Sequence, residues 1–211
     1  MLYNERKLKK RGKRFIAGID EAGRGPLAGP VVASAVVLRD FKFKNRIADS
    51  KALSRKARER AYEEILEKAY IGIGVVGEQD IDRINILQAT LRAMELAVHD
   101  LGVTPDYLLV DGISYPAIPC PKLAIIDGES HSLSIACASI VAKVTRDLIM
   151  SYYDALYPKY GFARHKGYGT KAHFDAIRRH GASPIHRFTF APIKCPSLLS
   201  SPIWGEGRAR G

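Results

Sequence analysis

Short apolar runs alternate with longer amphipathic stretches along this chain. Five runs predict buried strands because each is short and apolar: FIAGID, VVASAVVL, YIGIGVVG, DYLLVDG and KLAIID, which begin at residues 15, 31, 70, 106 and 122. Apolar residues at helical spacing predict four helices, over residues 54–69, 85–102, 132–150 and 171–181. Together these elements predict an α/β layered domain with a small C-terminal helical extension.

Composition shifts divide the chain into four parts. Residues 1–14 hold seven Lys or Arg and predict either a mobile arm or a solvated first segment. Residues 15–168 contain the predicted strands and form the main domain, and residues 169–195 form a helical C-terminal part. Residues 196–211 are rich in Ser, Pro and Gly, which predicts a flexible tail. The length of 211 residues suits one domain with such appendages.

Charge changes this picture more than composition does. A hydrophobic content of 46% is ordinary, but the net charge of +11 favours a polyanionic partner, most simply nucleic acid. The alternative is a basic protein without such a partner. No apolar stretch approaches the roughly 18 residues of a membrane span. The three cysteines are far apart, which disfavours zinc ribbons and redox dithiols and predicts a reducing, cytoplasmic setting.

Acidic residues stand where several predicted strands end. Asp20 and Glu21 close the first strand, Asp111 closes the fourth, and Asp127 and Glu129 follow the fifth. Strand ends are where sites form in α/β sheets, and converging carboxylates repel one another unless a cation is bound. Taken singly, each acid also fits a helix cap or a loop. An Asp-Glu pair on a buried strand is harder to explain without a partner, because an unpaired buried charge is costly.

A basic chain with an acidic pocket suits metal-dependent nuclease chemistry. Hard divalent cations take oxygen ligands, and two of them can activate a water and stabilise the leaving oxygen of a phosphodiester. Gly23-Arg24-Gly25 follows the acidic pair directly. Glycines allow the backbone to approach a phosphate or sugar closely, and arginine grips phosphate with two hydrogen bonds. A tight turn with an exposed arginine is the alternative.

Several segments together resemble one family, the type 2 ribonucleases H (ribonuclease HII). The resemblance covers roughly residues 15–193 in order, through GIDEAGRGPLAGPVVASAVVL, IADSKALS, INILQATLRAM, DYLLVDG, SIACASIVAKVTRDLIM, YPKYGFARHKGYGTKAHFDAI and HRFTFAPI. It implies a ribonuclease H-like fold, a mixed five-stranded sheet flanked by helices. It also implies cleavage of the RNA strand of RNA–DNA hybrids and incision at single ribonucleotides in duplex DNA, leaving 5′-phosphate and 3′-hydroxyl ends. Two Mn²⁺ or Mg²⁺ ions are the implied cofactors, and a monomer is the default expectation.

The resemblance also implies roles for particular residues. It makes Asp20, Glu21 and Asp111 metal-binding carboxylates. The fourth family acid is an aspartate, whose register here falls on Glu129, although nearby Asp127 remains an alternative. His131 stands where the family commonly has another basic residue.

Substrate contacts form the second implied group. The resemblance assigns Tyr168, together with Gly23, Arg24 and Gly25, to sensing the 2′-hydroxyl at an RNA-to-DNA junction; a core tyrosine is the alternative from the residues alone. The basic candidates for phosphate contact are Lys51, Lys143, Arg146 and Lys166, each of which could instead be solvated or paired with an acid. Asp147 is expected to pair with a base or to end a helix turn.

Two other classes of protein compete with this interpretation. A non-catalytic nucleic-acid-binding domain would use the basic surface and would be indifferent to chelators. Another metal-dependent phosphotransferase of the same fold, such as an integrase or a resolvase, would use the acids but gains no support from the Gly-Arg-Gly and GYGT stretches.

Overall fold

The computed structural model describes residues 1–195, which form twelve helices and strands. In chain order these are α1 (Tyr3–Lys10), β1 (Ile16–Ala22), β2 (Val31–Leu38), α2 (Arg55–Lys68), β3 (Ala69–Val76), α3 (Glu78–His99), β4 (Tyr107–Asp111), β5 (Lys122–Ile125), α4 (Gly128–His131), α5 (Leu133–Leu156), α6 (Phe162–His165) and α7 (Lys171–His180). All five predicted strands and four predicted helices are present, so the α/β prediction is confirmed. The sequence pattern did not predict α1 or the short helices α4 and α6.

The strands form one mixed sheet in the order β3-β2-β1-β4-β5. Strands β1, β2 and β3 pair antiparallel, whereas β4 runs parallel to β1 and β5 runs parallel to β4. Strand β1 is therefore central, and the parallel pairing of Ile19 with Val110 aligns its end with the end of β4. This arrangement places Asp20 and Asp111 at the same edge of the sheet.

Helices cover both faces of the sheet. Helix α3 packs so closely against β3 that a Cβ on Gly74 would lie 1.9 Å from the Ala93 carbonyl oxygen. Helices α5 and α2 pack on the other face, where Val36 of β2 joins Cys137 and Ile65 in a buried cluster. Because successive strand residues point to opposite faces, β1 directs Ile19 toward α3 and Gly18 toward α5.

The start of α3 differs from the sequence prediction. The helix begins at Glu78 rather than at Asn85, and its backbone breaks at Asn85, which has a φ of 67°. The Asn85 Oδ1 accepts hydrogen bonds from the Leu87 and Gln88 amides, at 3.0 and 3.1 Å. Asn85 thus caps a second helical segment inside α3, and this is the point at which the apolar periodicity begins.

The N-terminal segment is neither a mobile arm nor merely solvated. Residues 3–10 form α1, in which Glu5 and Leu8 are buried. Leu8 packs in a cluster with Ile16 of β1, Leu109 of β4 and Ile135 of α5. The sequence did not predict this apolar face, because Leu8 and the half-buried Leu2 are its only leucines among many basic residues.

The C-terminal helical part packs against the loop between β1 and β2. Phe162, Phe174 and Ile177 form a buried cluster with Leu27 and Ala28 of that loop. The C-terminal part therefore supports the segment that follows the acidic pair. The predicted tail, 196–211, lies outside the described residues. Among the described residues, no helix is both long and apolar enough to cross a membrane.

Candidate active site

A cleft of about 260 Å³ opens at the ends of β1 and β4. Every residue predicted from the sequence to form the site lines it, except Lys166. The lining residues are Asp20, Glu21, Ala22, Gly23, Arg24, Gly25, Ser50, Lys51, Asp111, Glu129, Ser139, Lys143, Arg146 and Tyr168.

Three carboxylates meet in this cleft. Asp20, Asp111 and Glu129 each offer an oxygen, and these oxygens lie within 4.8 Å of one another. Asp111 is held by the Gly128 amide, which donates to its Oδ1 at 2.6 Å. Asp127 is exposed and is not a member of this group, so the geometry favours Glu129 as the fourth family acid.

Glu21 lines the same cleft but lies outside the group of three carboxylates. Strand β1 does not end with the acidic pair, as the sequence predicted, but continues through Ala22. Alternation along the strand therefore turns the two acidic side chains apart. The Glu21 carboxylate pairs with the Arg24 guanidinium at 3.3 Å, which ties it to the Gly-Arg-Gly segment.

Burial and mutual repulsion disfavour the ionised forms of the carboxyl groups in the cleft. Burial, followed by the neighbouring charges of Glu21 and Asp111, raises the pKa of Asp20 well above its ordinary value. Burial and then the charge of Asp111 also raise the pKa of Glu129. A divalent cation would relieve both effects, because its charge favours the ionised form of each acid.

The donor set fits a hard divalent cation. All three grouped side chains offer carboxylate oxygens, which Mg²⁺ and Mn²⁺ prefer to nitrogen or sulfur ligands. The Ser139 hydroxyl of α5 lines the cleft together with Asp20 and donates to the Ser50 hydroxyl at 3.0 Å. Asp20 is oriented by its own strand, because the Glu21 amide donates to its Oδ1 at 2.7 Å.

The sequence analysis did not identify Arg187, whose side chain holds the main chain of the Gly-Arg-Gly segment in place. Its side chain is fully buried and donates to the carbonyl oxygens of Gly23, Arg24 and Gly29, at 2.6 to 2.9 Å. Burial lowers the pKa of Arg187 to about 9, yet the guanidinium stays protonated at neutral pH. Arg187 lies within the HRFTFAPI segment of the resemblance, but no pattern in the sequence indicates that it is buried.

The geometry does not support a phosphate-binding role for Arg146. This side chain is buried, and its three nitrogens donate to the carbonyl oxygens of Ala28, Pro30 and Lys166, at 2.9 to 3.0 Å. Arg146 instead joins the loop after β1 to the segment that precedes Tyr168. Main-chain carbonyls thus engage three of its five N–H donors, which leaves less capacity for a phosphate.

The other basic candidates differ in position. Lys51 and Lys143 line the cleft, and Lys143 pairs with Asp147 at 2.7 Å. Lys166 lies outside the cleft, where its Nζ donates to the Asp147 carbonyl and to the Ser151 hydroxyl. Asp147 thus pairs with a base, as its position in the sequence indicated.

Tyr168 is 46% exposed and lines the cleft beside Gly25. Its main-chain carbonyl hydrogen-bonds His173 Nδ1 at 2.9 Å, and His173 Nε2 lies 3.0 Å from His186 Nε2. Burial lowers the pKa of His173 to about 3 and that of His186 to about 4. Two neutral, buried imidazoles therefore support the segment that presents the tyrosine ring.

A mixed five-stranded sheet that gathers carboxylates at the ends of β1 and β4, in a strongly basic chain, defines the ribonuclease H-like class of metal-dependent hydrolases. Sequence comparison then identifies the family. A family model described as Ribonuclease HII matches residues 17–193, and the chain belongs to this family. It is accordingly a metal-dependent ribonuclease H hydrolase.

Relatives match across most of their own length. The chain is 54% identical over 187 residues to Ribonuclease HII of Enterococcus faecalis, covering 88% of this chain and 72% of the relative. It is 52% identical over 194 residues to Ribonuclease HII of Syntrophotalea carbinolica, covering 92% and 93% of the two chains.

Solved structures agree with the fold. The ribonuclease H2 of Pyrococcus horikoshii superposes with a TM-score of 0.71 at 24% identity, covering 86% of this chain and 96% of that one. The ribonuclease HII of Archaeoglobus fulgidus, solved in complex with PCNA, also gives a TM-score of 0.71, at 23% identity and with coverage of 84% and 95%.

Proposed function

We propose that this protein cleaves the RNA strand of RNA–DNA hybrids and incises duplex DNA at single embedded ribonucleotides, leaving 5′-phosphate and 3′-hydroxyl ends. The observation that carries the proposal is the shared cleft: the grouped carboxylates, the Gly-Arg-Gly segment and Tyr168 all line one cavity. Chemistry on a phosphodiester and recognition of the adjacent sugar can therefore occur together.

The acids hold two divalent ions in this proposal, either Mn²⁺ or Mg²⁺. When bound, the ions would activate the attacking water and stabilise the departing 3′-oxygen. Asp20, Asp111 and Glu129 supply grouped carboxylate oxygens, and Glu21 supplies a further carboxylate in the same cleft. Arg24 holds Glu21 at 3.3 Å and is placed to exchange this exposed pairing for a substrate phosphate.

Recognition of the ribose relies on the Gly-Arg-Gly segment and the tyrosine. Arg187 occupies the carbonyl oxygens of Gly23 and Arg24, so the N–H groups are what this segment offers to a ligand. A 2′-hydroxyl can accept from such an N–H group, which a deoxyribose cannot do. The Tyr168 ring would lie against the same nucleotide, since the ring is within 3.8 Å of a Cβ built on Gly25.

Binding of the duplex is supported by charge. The net charge of +11 attracts the polyanion, and Lys51 and Lys143 bring two ammonium groups to the cleft itself. These contacts position the substrate without reading its sequence. A monomer suffices for this function, because one chain supplies every group that the proposal uses.

A duplex DNA carrying one ribonucleotide tests the proposal. Wild-type protein should incise it with Mn²⁺ or Mg²⁺ and should fail to do so in excess EDTA. Tyr168→Ala should slow this incision about tenfold or more, because stacking on a base or sugar is worth about 1–3 kcal/mol. Tyr168→Phe separates the contribution of the ring from that of the hydroxyl.

Tyr152→Ala is the matched control, because Tyr152 is an exposed tyrosine outside the cleft. Its incision rate should equal that of the wild type. Normal incision by Tyr168→Ala would remove the tyrosine from ribose recognition, and incision that persists in EDTA would contradict the metal-dependent mechanism.

A further inference from the structure

Helix α1 belongs to a basic segment, yet it buries one acidic side chain, Glu5, in the protein interior. Glu5 is only 1% exposed, although the first fourteen residues carry seven Lys or Arg. Leu8, one turn later, anchors the same face of α1 against Leu109 and Ile135. The burial of Glu5 is therefore a consequence of docking α1 at the beginning of α5.

Glu5 accepts hydrogen bonds from donors at the beginning of α5. Its Oε1 accepts from the Ser132 hydroxyl at 2.6 Å, from the Ser134 hydroxyl at 2.8 Å and from the Ser134 amide at 3.0 Å. The Leu133 amide, which is also unpaired within the helix, donates to the Met1 carbonyl at 2.9 Å. A carboxylate here also interacts favourably with the helix dipole.

The residues that Glu5 holds lead directly to two of the grouped acids. Ser132 ends α4 and begins α5, and its amide donates to the Gly128 carbonyl at 2.8 Å. The Gly128 amide in turn donates to Asp111 Oδ1 at 2.6 Å. Glu129 lies in the short helix between Gly128 and Ser132, so both acids are linked to the position of Ser132.

The same turn of α5 also supports the strand that bears Asp20. A Cβ on Gly18 would lie 2.1 Å from the Ser134 carbonyl carbon, so α5 and β1 are in direct backbone contact two residues before Asp20. Glu5 thus lies where the segments that carry all three grouped acids converge. Its second oxygen, Oε2, is buried with no hydrogen-bond partner among residues 1–195. An unsatisfied buried oxygen is unfavourable and calls for a compensating role.

We propose that Glu5 is a positioning residue for the cleft, which fixes Asp111 and Glu129 through Ser132 and Gly128. The inference rests on the proposed metal-binding role of the grouped acids. It assigns to the N-terminal helix a part in setting metal affinity, rather than in binding the substrate.

Calorimetric titration of Mn²⁺ into the full-length protein without substrate tests this role. Glu5→Ala should weaken Mn²⁺ binding about tenfold or more, the range found when an outer neighbour of a metal ligand is lost. Glu5→Gln keeps an oxygen that can accept all three hydrogen bonds and should stay within about threefold of wild type. At saturating Mn²⁺, the KM of Glu5→Ala for the duplex should remain within about twofold of wild type.

Glu64→Ala is the matched control. Glu64 is 7% exposed and accepts from the amides of Lys44 and Asn45, at 2.8 and 2.9 Å, but these residues do not line the cleft. This variant should lose stability without losing Mn²⁺ affinity. An equal loss of affinity in Glu64→Ala would show a general loosening and would overturn the proposal.

Wild-type Mn²⁺ affinity in Glu5→Ala would also overturn it. If Glu5→Ala does not fold, Ser134→Ala removes one donor to Glu5 and should weaken Mn²⁺ binding two- to fivefold; unchanged affinity there would again refute the role. A wild-type protein that binds no Mn²⁺ would instead contradict the proposed metal site itself, so the two failures are distinguishable.

Discussion

Replacing Asp20 by asparagine should stabilise the metal-free protein while removing most of its activity. The change is nearly isosteric, and the asparagine oxygen can still accept from the Glu21 amide, which donates to Asp20 Oδ1 at 2.7 Å. What is lost is one negative charge from a group of three whose oxygens lie within 4.8 Å of one another.

The magnitude follows from that distance. Two unit charges 4.8 Å apart repel by about 3.5 kcal/mol at an effective dielectric constant of 20, and by about 0.9 kcal/mol in water. Protonation already relieves part of this repulsion, because the pKa of Asp20 is raised by burial and by its acidic neighbours. We therefore expect Asp20→Asn to gain about 1–2 kcal/mol in free energy of unfolding at pH 8 in EDTA.

Urea denaturation at pH 8 and pH 5 measures this gain. A raised pKa means that the ionised carboxyl destabilises the folded state at high pH and that the penalty disappears as pH falls through that pKa. The stability difference between variant and wild type should therefore narrow at pH 5. Adding Mn²⁺ should stabilise the wild type more than the variant.

Asp80→Asn is the control, because Asp80 forms an exposed ion pair with Arg83 and should change stability little. Cleavage by Asp20→Asn should fall to a small fraction of wild type, with hybrid binding retained. A variant less stable than wild type in EDTA would refute the electrostatic reasoning, and cleavage near the wild-type rate would refute the catalytic role.

Three further predictions follow from the same geometry. Glu129→Gln should reduce cleavage at least a hundredfold whereas Asp127→Asn should leave it within about threefold, and a reversed order in a hybrid-cleavage assay would assign the fourth acid to Asp127. Arg187→Met should lower the free energy of unfolding by about 3–5 kcal/mol, because three carbonyls lose a buried charged donor; a loss below 1 kcal/mol in urea denaturation would contradict this. His173, with a pKa of about 3, and His186, with a pKa of about 4, are neutral in the folded protein but take up protons near pH 6.5 when unfolded. The free energy of unfolding should therefore be highest above pH 6.5 with respect to these two groups and should fall as pH decreases below 6.5. At pH 5 the loss should be about 2 kcal/mol for each imidazole, and NMR titration of either ring with a pKa near 6.5 in the folded protein would contradict the assignment.

The apolar pattern alone was sufficient to predict the five strands and four of the helices. VVASAVVL forms β2 with its predicted bounds, because eight residues that are all apolar except Ser34 suit a strand that is buried on both faces. The helix predicted from Ser54 begins there, with the Ser54 hydroxyl accepting from the Ala57 amide at 3.3 Å. Apolar runs and capping residues are local features of the sequence, so they can be recognised without knowledge of the fold.

The candidate site could be predicted only in part from the sequence. Acids at strand ends predicted that Asp20, Glu21, Asp111 and either Glu129 or Asp127 would meet, and the structure groups Asp20, Asp111 and Glu129. The separation of Glu21 from this group depends on how far β1 continues past Asp20, which a strand pattern ending in acids and glycines does not indicate.

The chain by itself determined the five strands, four of the helices and the acids that stand at the strand ends, since periodicity and residue type encode these features. Only the tertiary structure decided that Arg146, Arg187 and Glu5 are buried, with the two arginines binding main-chain carbonyls and the glutamate binding serine donors. Charged side chains are ordinarily exposed, and their burial becomes favourable only where distant segments converge to supply hydrogen-bond partners. That convergence is a property of the fold, and no local stretch of sequence contains it.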